Sequence, residues 1–178
     1  MKKILFPLLF VVLGLSSCEA LSELTKFDMP FTQSVTIPKQ VVVKDSTLDM
    51  TTPDMQSNSA DFFTKNNIKT DMIQKISLKE LKLNVTDPTD GNFNFLKTIE
   101  ISILSDSLPA IKIASLSEIP VSTDTTLVLT VDPIDLKQYI LEDKFKFKIT
   151  ITADETIQKD YTIELKPIFL VDVKVLGL

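Results

Sequence analysis

The chain has 178 residues, a formal net charge of −5 and no histidine. Its 19 basic residues are all lysine, so the bidentate arginine contacts that dominate phosphate and guanine recognition are missing, and we exclude nucleic acid as a partner. One cysteine without any histidine cannot form a Ser-His-Asp triad or a Cys/His zinc site, and three glycines are too few for a phosphate-cradling loop. We therefore expect no enzyme, no catalytic residue, no cofactor and no bound metal.

The first seventeen residues have the features of an export signal. Lys2 and Lys3 precede an uncharged apolar segment over residues 4–15. A helix over this segment would be about 18 Å long at ~1.5 Å per residue, well short of a hydrocarbon core of ~30 Å. We predict that residues 1–17 are a signal peptide removed from the mature protein. Loss of Lys2 and Lys3 would take the net charge from −5 to about −7.

The end of this segment, Leu15-Ser16-Ser17-Cys18, resembles the lipobox of bacterial lipoproteins. The resemblance implies cleavage between Ser17 and Cys18 and a diacylglyceryl group on the Cys18 thiol. The alternative is an ordinary cleavage region with Cys18 as a free or disulfide-bonded cysteine. Cys18 is the only cysteine, so no intramolecular disulfide is available, and an exposed lone thiol would be a liability in an oxidising compartment. Since two or more acyl chains anchor a protein stably, we expect it to be held on the outer membrane by its N-terminal lipid, without spanning it.

The mature chain divides into a lipidated tether, residues 18–26, and a single domain over residues 27–178. Alternation of apolar and polar residues is typical of strands and is clearest at Ile99, Ile101 and Ile103. The alternation slips near Glu80, which predicts a β-bulge there. We expect Pro167 to separate the last two strands and residues 41–43 to be buried on both faces. The predicted strands are residues 31–37, 40–48, 77–85, 93–104, 110–114, 126–131, 144–152, 157–165 and 168–176.

Three segments carry helical or loop signals. Residues 51–67 read as a loop or broken helix, with Phe62 and Phe63 docking onto the core rather than forming a ligand platform. Residues 67–75 have apolar side chains at helical spacing, which predicts a short helix. A further helix is predicted to begin at Asp132 as N-cap, with Pro133 at its first position, and to cross between strands; its apolar face would comprise Leu136, Tyr139 and Ile140. The fold class is therefore all-β, an Ig-like antiparallel β-sandwich with one or two short helices.

Two acidic groups invite a chemical interpretation. Residues 87–92, Asp-Pro-Thr-Asp-Gly-Asn, superficially resemble a calcium loop, but the acids have the wrong spacing and Lys97 stands where a glutamate is needed. We predict a plain turn in which Gly91 has positive φ. The neighbouring carboxylates Asp154 and Glu155, or Glu142 and Asp143, would point to opposite faces of a strand and so would not converge on a glycoside.

Two further patterns bear on partners. Lys144, Lys146 and Lys148 alternate with apolar residues and share one face of a strand; a solvated face or a protected edge explains them better than docking to anionic lipid. Sugar-binding sites usually stack the sugar on aromatic rings, and without tryptophan only Tyr139, Tyr161 and exposed phenylalanines could serve.

Residues 27–38 and 135–145, together with the lipobox, resemble a group of small lipoproteins of Bacteroidetes whose role is uncharacterised. A more remote similarity is to the Ig-like sandwiches of LEA-type and water-stress domains. The resemblance implies a lipid-anchored envelope protein. Our hypothesis is a non-catalytic binding or structural module for an envelope component, a protein or a glycan, on the periplasmic or outer face of the outer membrane. The alternative is a lipid or glycan carrier, which needs an apolar cavity of several hundred Å³ between its sheets.

Overall fold

A computed structural model describes residues 25–39 and 43–174. These ranges contain eleven strands, two short helices and one 3-10 turn. The helices are α1 (Ser59–Lys65) and α2 (Lys137–Ile140), and the 3-10 turn is Thr70–Met72. The strands are β1 (Lys26–Pro30), β2 (Gln33–Ile37), β3 (Thr47–Thr51), β4 (Met55–Gln56), β5 (Ile73–Asp87), β6 (Leu96–Leu104), β7 (Ile111–Ser117), β8 (Thr126–Val128), β9 (Thr130–Val131), β10 (Lys144–Ala153) and β11 (Tyr161–Val173).

The strands form two antiparallel sheets. The first has the order β1-β11-β5-β8, with β2 beside β11 further along the same edge. The second has the order β3-β10-β6-β7-β9, with β4 also on β10. This confirms the predicted fold class, an all-β antiparallel sandwich with two short helices.

The core lies between the sheets, where alternate side chains of the long strands meet. Ile99, Ile101 and Ile103 of β6 are buried, as predicted from their alternation. Phe145 of β10 and Phe169 of β11 face each other across the core with ring centroids 6.3 Å apart. Burial of each such side chain contributes about 1.5–3 kcal/mol, so these strands dominate the stability of the domain.

Strand β11 runs through Pro167, which corrects the prediction of two strands, 157–165 and 168–176, separated there. Pro167 has no N–H to donate, yet it lies in a central strand. The neighbouring edge is interrupted at this point, between β1 and β2, and the Pro167 carbonyl accepts a hydrogen bond of 3.0 Å from the Phe31 N–H. The missing donor therefore faces a gap in the sheet. The end of the predicted last strand, residues 175–176, lies outside the described residues.

Strand β5 confirms the predicted bulge and corrects the helix predicted over residues 67–75. Its register against β11 shifts at three places, so that Gln74, Lys79 and Thr86 are extra residues with no paired residue in β11. The bulges at Gln74 and Lys79 each put two apolar residues three apart on the same face. Ile73 and Ile76 are both buried in this way, and their spacing imitates a helical period. Within residues 67–75 the structure has only the 3-10 turn Thr70–Met72 before β5 begins, and the nearest α-helix, α1, ends at Lys65, five residues before that turn.

Other boundaries also differ from the predictions. The predicted strand 31–37 is β2 alone, and Lys26, assigned to the tether, begins β1. Of the predicted strand 40–48, residues 40–42 lie outside the described residues; Val43, expected to be buried, is 52% exposed.

The crossover helix α2 begins at Lys137 rather than after Asp132, which corrects the predicted N-cap. The Asp132 N–H donates to the Ile113 carbonyl of β7, and the Asp135 carboxylate accepts from the N–H groups of Ile76 and Lys137. The predicted apolar face is confirmed, since Leu136, Tyr139 and Ile140 are all buried. This segment lies against β5 and β10 and connects β9 to β10.

The predicted signal peptide, Cys18 and most of the tether lie outside the described residues. Within the ranges that the structure describes, no helix has the length and apolar character needed to cross a membrane.

Candidate functional site

An open groove of about 450 Å³ lies at one side of the sandwich, between the end of β1 and helix α1. Its walls come from two short segments that are distant in sequence, residues 29–31 and 57–65. The lining residues are Met29, Pro30, Phe31, Ser57, Asn58, Asp61, Phe62 and Lys65.

The strand side of the groove is fixed by Phe31. Its ring packs edge-to-face on Phe145 at 5.4 Å and on Phe169 at 5.6 Å, measured between centroids, and so bridges the two sheets. Its backbone N–H is held by Pro167. Phe31 remains partly exposed toward the groove, whereas the preceding Met29 is buried. The core therefore holds this wall rigidly.

The helix side is fixed by β4 and a serine turn. Strand β4 pairs with the start of β10, and the Ser57 N–H then donates to the Asp143 carbonyl at 3.0 Å. The Ser57 hydroxyl accepts from the Ser59 N–H at 3.3 Å and begins the helix. Phe63 points into the core and is buried. These contacts set the rotation of α1 about its axis.

That rotation places Asn58, Asp61, Phe62 and Lys65 together on the groove side, at the spacing i, i+3, i+4 and i+7. Phe62 is partly buried and the other three are exposed. Among the described residues, neither the Asp61 carboxylate nor the Lys65 ammonium has an ion pair or side-chain hydrogen bond, although the two lie one helical turn apart. The groove thus offers one free anion and one free cation beside two aromatic rings.

Among the described residues, a much smaller cavity lies between the sheets. The cavity lined by Ile37, Leu83, Ile101 and Ile163, among other apolar side chains, has a volume of only about 10 Å³. That is far below the ~300–1,000 Å³ of small-ligand sites. No acyl chain fits there without opening the sandwich.

The acidic turn at residues 87–92 is a turn, as predicted, but Gly91 is required for a different reason. The φ of Gly91 lies outside the left-handed region, which corrects the predicted positive φ. A Cβ at this position would lie 2.5 Å from Cγ1 of Val85 and 2.8 Å from the Pro88 carbonyl oxygen. Lack of space, and not backbone conformation, demands glycine here. Asp90 pairs with Lys159 at 3.2 Å, which lowers the pKa of Asp90 through a hydrogen bond.

The carboxylate pairs lie in turns and not on strands, contrary to the premise of the sequence argument. Glu142 and Asp143 stand between α2 and β10, and Asp154 and Glu155 follow β10. Glu142 accepts a hydrogen bond of 2.6 Å from the Ser107 hydroxyl. In the part of the chain that the structure describes, no group of three or more acidic or thiol side chains is arranged to hold a metal ion.

The two tyrosines differ in exposure, since Tyr139 is buried and Tyr161 is partly exposed. Tyr139 is buried, and its hydroxyl donates to the Pro109 carbonyl at 2.8 Å. Tyr161 packs on Phe95 with ring centroids 4.4 Å apart. Phe31 and Phe62 of the groove are partly exposed as well.

The lysines of β10 lie on a solvated face, one of the two predicted explanations; a protected edge is excluded because β10 has neighbours on both sides. Each of the three ammonium groups forms an ion pair with an aspartate carboxylate. Lys148 lies 2.8 Å from Asp49, and Lys146 lies 3.2 Å from Asp54 and 3.0 Å from Asp106. These hydrogen bonds raise the pKa of Lys146 and lower the pKa of Asp49 and of Asp54. The charges are mutually satisfied.

The prediction that Phe62 and Phe63 dock onto the core is confirmed, since Phe63 is buried and Phe62 is partly buried and packed against the core. The prediction did not include the groove beside Phe62. The signal was present as the helical stripe of Asn58, Asp61, Phe62 and Lys65, polar at three of four positions. It was obscured because residues 51–67 carry loop-forming residues and because the opposite wall comes from β1.

No known protein family matches this sequence, and no curated protein does. Among solved structures, that of cocksfoot mottle virus is similar over 98% of this chain and 97% of its own, at 11% identity and a TM-score of 0.32. The structure of turnip yellow mosaic virus is similar over 86% of this chain and 96% of its own, at 15% identity and a TM-score of 0.32. Likenesses this low carry no inference about function.

Proposed function

We propose that this chain is a lipid-anchored protein of the outer membrane whose β-sandwich is a non-catalytic module that binds an envelope component in the groove between β1 and α1. The observation that carries the binding role is the pair of free charges, Asp61 and Lys65, beside the partly exposed Phe31 and Phe62. Ligand sites are concave and combine apolar lining with a few convergent polar groups, and this groove has both.

The anchor rests on the lipobox and on Cys18 as the only cysteine. Replacing Cys18 with Ala should abolish labelling by radioactive palmitate and release the protein from the membrane fraction. A matched Ser16→Ala change keeps a small residue before the cysteine and should leave labelling intact. Unchanged labelling of the Cys18→Ala protein would contradict the anchor.

The binding role is tested by capture of envelope components from solubilised membranes on the immobilised full-length protein. Phe62→Ala with Lys65→Gln should lose the captured component. Lys69→Gln, which removes an exposed lysine outside the groove, should retain it. Equal capture by both variants would rule out the groove as the binding site.

A carrier of lipid or glycan is the second candidate. The cavity of about 10 Å³ between the sheets disfavours carriage of a lipid inside the sandwich. The surface groove is compatible with a glycan carrier. Such a carrier differs from a structural module that binds a glycan only because it releases the glycan elsewhere.

A further inference from the structure

We propose that strand β3 is an interface at which two copies of this chain pair edge to edge, in antiparallel orientation about a two-fold axis at Asp49. The inference goes beyond the proposed function, because β3 does not line the groove between β1 and α1. It follows from the outward-facing backbone groups of β3, from the symmetry of its sequence and from the placement of its side chains.

Strand β3 ends the second sheet and presents backbone hydrogen-bonding groups outward. It pairs with β10 on one side, and no described strand pairs with its other side. The Thr52 N–H donates to the Phe147 carbonyl, and the Ser46 carbonyl accepts from Ala153. Even-numbered residues of this segment therefore bond to β10. The N–H and C=O groups that point away from the sheet belong to the odd-numbered residues Thr47, Asp49 and Thr51.

The other strand edges are less suited to pairing. Strand β8 has three residues and β9 has two. The edge that β1 and β2 form is interrupted between them, and its β1 part ends at Pro30, which has no N–H to donate. Short strands, breaks and prolines are the usual protection of a sheet edge against pairing. Strand β3 is five residues long and contains no proline.

The sequence of β3, Thr-Leu-Asp-Met-Thr, reads alike in both directions by residue class. In an antiparallel pair about Asp49, Thr47 lies opposite Thr51 of the second copy, and Leu48 lies opposite its Met50. Threonine pairs and apolar pairs are cross-strand pairs that stabilise a sheet. A two-fold interface uses the same patch on both copies, so it needs a self-complementary sequence of this kind.

The apolar side chains of β3 lie at an open side of the sandwich. Leu48 and Met50 are partly buried and pack against the core. Met50 lines the small cavity between the sheets together with Val35 of β2, which is also partly buried. A second copy adds its own Leu48 and Met50 beside them and covers apolar surface that one copy leaves exposed.

Asp49 is the one charged residue of β3, and like charges directly opposite each other weaken a strand pair. Its carboxylate accepts a hydrogen bond of 2.6 Å from the Thr150 hydroxyl and lies 2.8 Å from the Lys148 ammonium. Both partners belong to β10, so they hold the carboxylate over the sheet and away from its edge. The ammonium of Lys148 also offsets the charge that the second copy meets.

The test is sedimentation equilibrium of the full-length protein in density-matched detergent, over a range of protein concentrations. We expect a reversible equilibrium between monomer and dimer. Thr51→Pro removes an outward N–H and leaves the bonds to β10 in place, so it should weaken the dimer roughly tenfold.

Ser34→Pro is the matched control on the other edge. Odd-numbered residues of β1 and β2 face β11, since the Phe31 N–H donates to the Pro167 carbonyl in the register that β2 continues. The Ser34 N–H therefore points outward as well, and its loss should leave the dimer unchanged.

A charge exchange tests the position of the two-fold axis. Asp49→Lys alone places two lysines face to face and should dimerise more weakly than wild type. In a mixture, the lysine of one copy meets Asp49 of the other. Fluorescently labelled Asp49→Lys protein, titrated with unlabelled wild type, should therefore form a heterodimer about fivefold tighter than the wild-type dimer.

Three results would overturn the inference. They are a full-length protein that stays monomeric at roughly 1 mM, equal weakening of the dimer by Ser34→Pro and Thr51→Pro, and a heterodimer no tighter than the wild-type dimer. Urea unfolding of each variant establishes that it is folded. If Thr51→Pro does not fold, the charge exchange decides alone, because Asp49 is exposed and its replacement leaves the core intact.

Discussion

The space between the sheets and the groove beside α1 differ in how far the protein satisfies its own side chains. Between the sheets, the cavity that the described apolar side chains leave has a volume of about 10 Å³. On the outer face of β10, lysines and aspartates neutralise one another. In the groove, Asp61 and Lys65 keep their charges free and two phenylalanines stay partly exposed. The difference indicates that packing and ion pairing stabilise the sandwich. The exposed side chains of the groove contribute little to that stability.

The largest expected effect comes from cutting the central strand. A chain that ends at Lys166 loses the buried Phe169, Val171 and Val173 and also the partner of β1. At about 1.5–3 kcal/mol for each buried side chain, the loss rivals the ~5–15 kcal/mol stability of a typical domain. We expect no cooperative transition when the far-ultraviolet circular dichroism is followed with temperature. A cooperative melt near that of the full-length chain would show that this half of β11 is dispensable.

A pair of matched substitutions compares core and groove directly. Phe145→Ala empties a fully buried site between both sheets and should cost about 3–5 kcal/mol of unfolding free energy. Phe62→Ala removes a partly buried ring at the groove and should cost less than about 1.5 kcal/mol. Urea unfolding followed by circular dichroism measures both. Similar losses for the two variants would mean that Phe62 is a core residue and that the groove is not an available surface.

A smaller effect is expected at the turn between β5 and β6. Gly91→Ala puts a methyl group 2.5 Å from Val85 Cγ1, so the core end of β5 must shift. Overpacking of this kind costs about 1–3 kcal/mol. The control is Thr89→Ala, an exposed position in the same turn, which should change stability by less than about 0.5 kcal/mol. If both variants unfold at the same urea concentration, the close approach at Gly91 has no energetic weight.

The smallest effect concerns acid stability and separates paired from free carboxylates. The hydrogen bond from Lys146 lowers the pKa of Asp54 below its ordinary 3.8 in the folded state. A lowered folded pKa stabilises the fold above the ordinary value, and this contribution disappears as pH falls through the folded pKa. Asp54→Asn should therefore unfold at a lower urea concentration than wild type at pH 7, and the difference should shrink toward pH 2.

Asp61→Asn is the matched control, because Asp61 has no ion partner among the described residues. Its urea midpoint should follow that of wild type at both pH values. A pH-dependent loss at Asp61 as large as that at Asp54 would contradict the distinction between the paired surface and the free groove.

The strands of the core could be predicted because their alternation is local. Ile99, Ile101 and Ile103 show it in β6, and the apolar face of α2 is equally visible in the sequence. The helix predicted over residues 67–75 was wrong because bulges at Gln74 and Lys79 give β5 the three-residue spacing of a helix. A bulge is set by the partner strand β11, almost a hundred residues away, so local sequence cannot distinguish the two.

The groove could not be predicted as a site for the same reason. Phe31 and Phe62 line the same groove only because β1 pairs with β11 and β4 pairs with β10. Pro167 was predicted to end a strand, but β11 continues through it. A proline is acceptable in a central strand only where the neighbouring strand edge is broken. That break, between β1 and β2, is visible only in the assembled sheet.

The most direct test of a ligand site in the groove is amide chemical-shift mapping of the isotopically labelled full-length protein, titrated with a solubilised envelope fraction from the source cells. The account predicts that shifts concentrate at Phe31, Asn58, Asp61, Phe62 and Lys65 on the walls of the groove. Shifts concentrated instead at Ile37, Leu83, Ile101 and Ile163, which line the space between the sheets, would show that the sandwich opens to hold its ligand and would contradict the account.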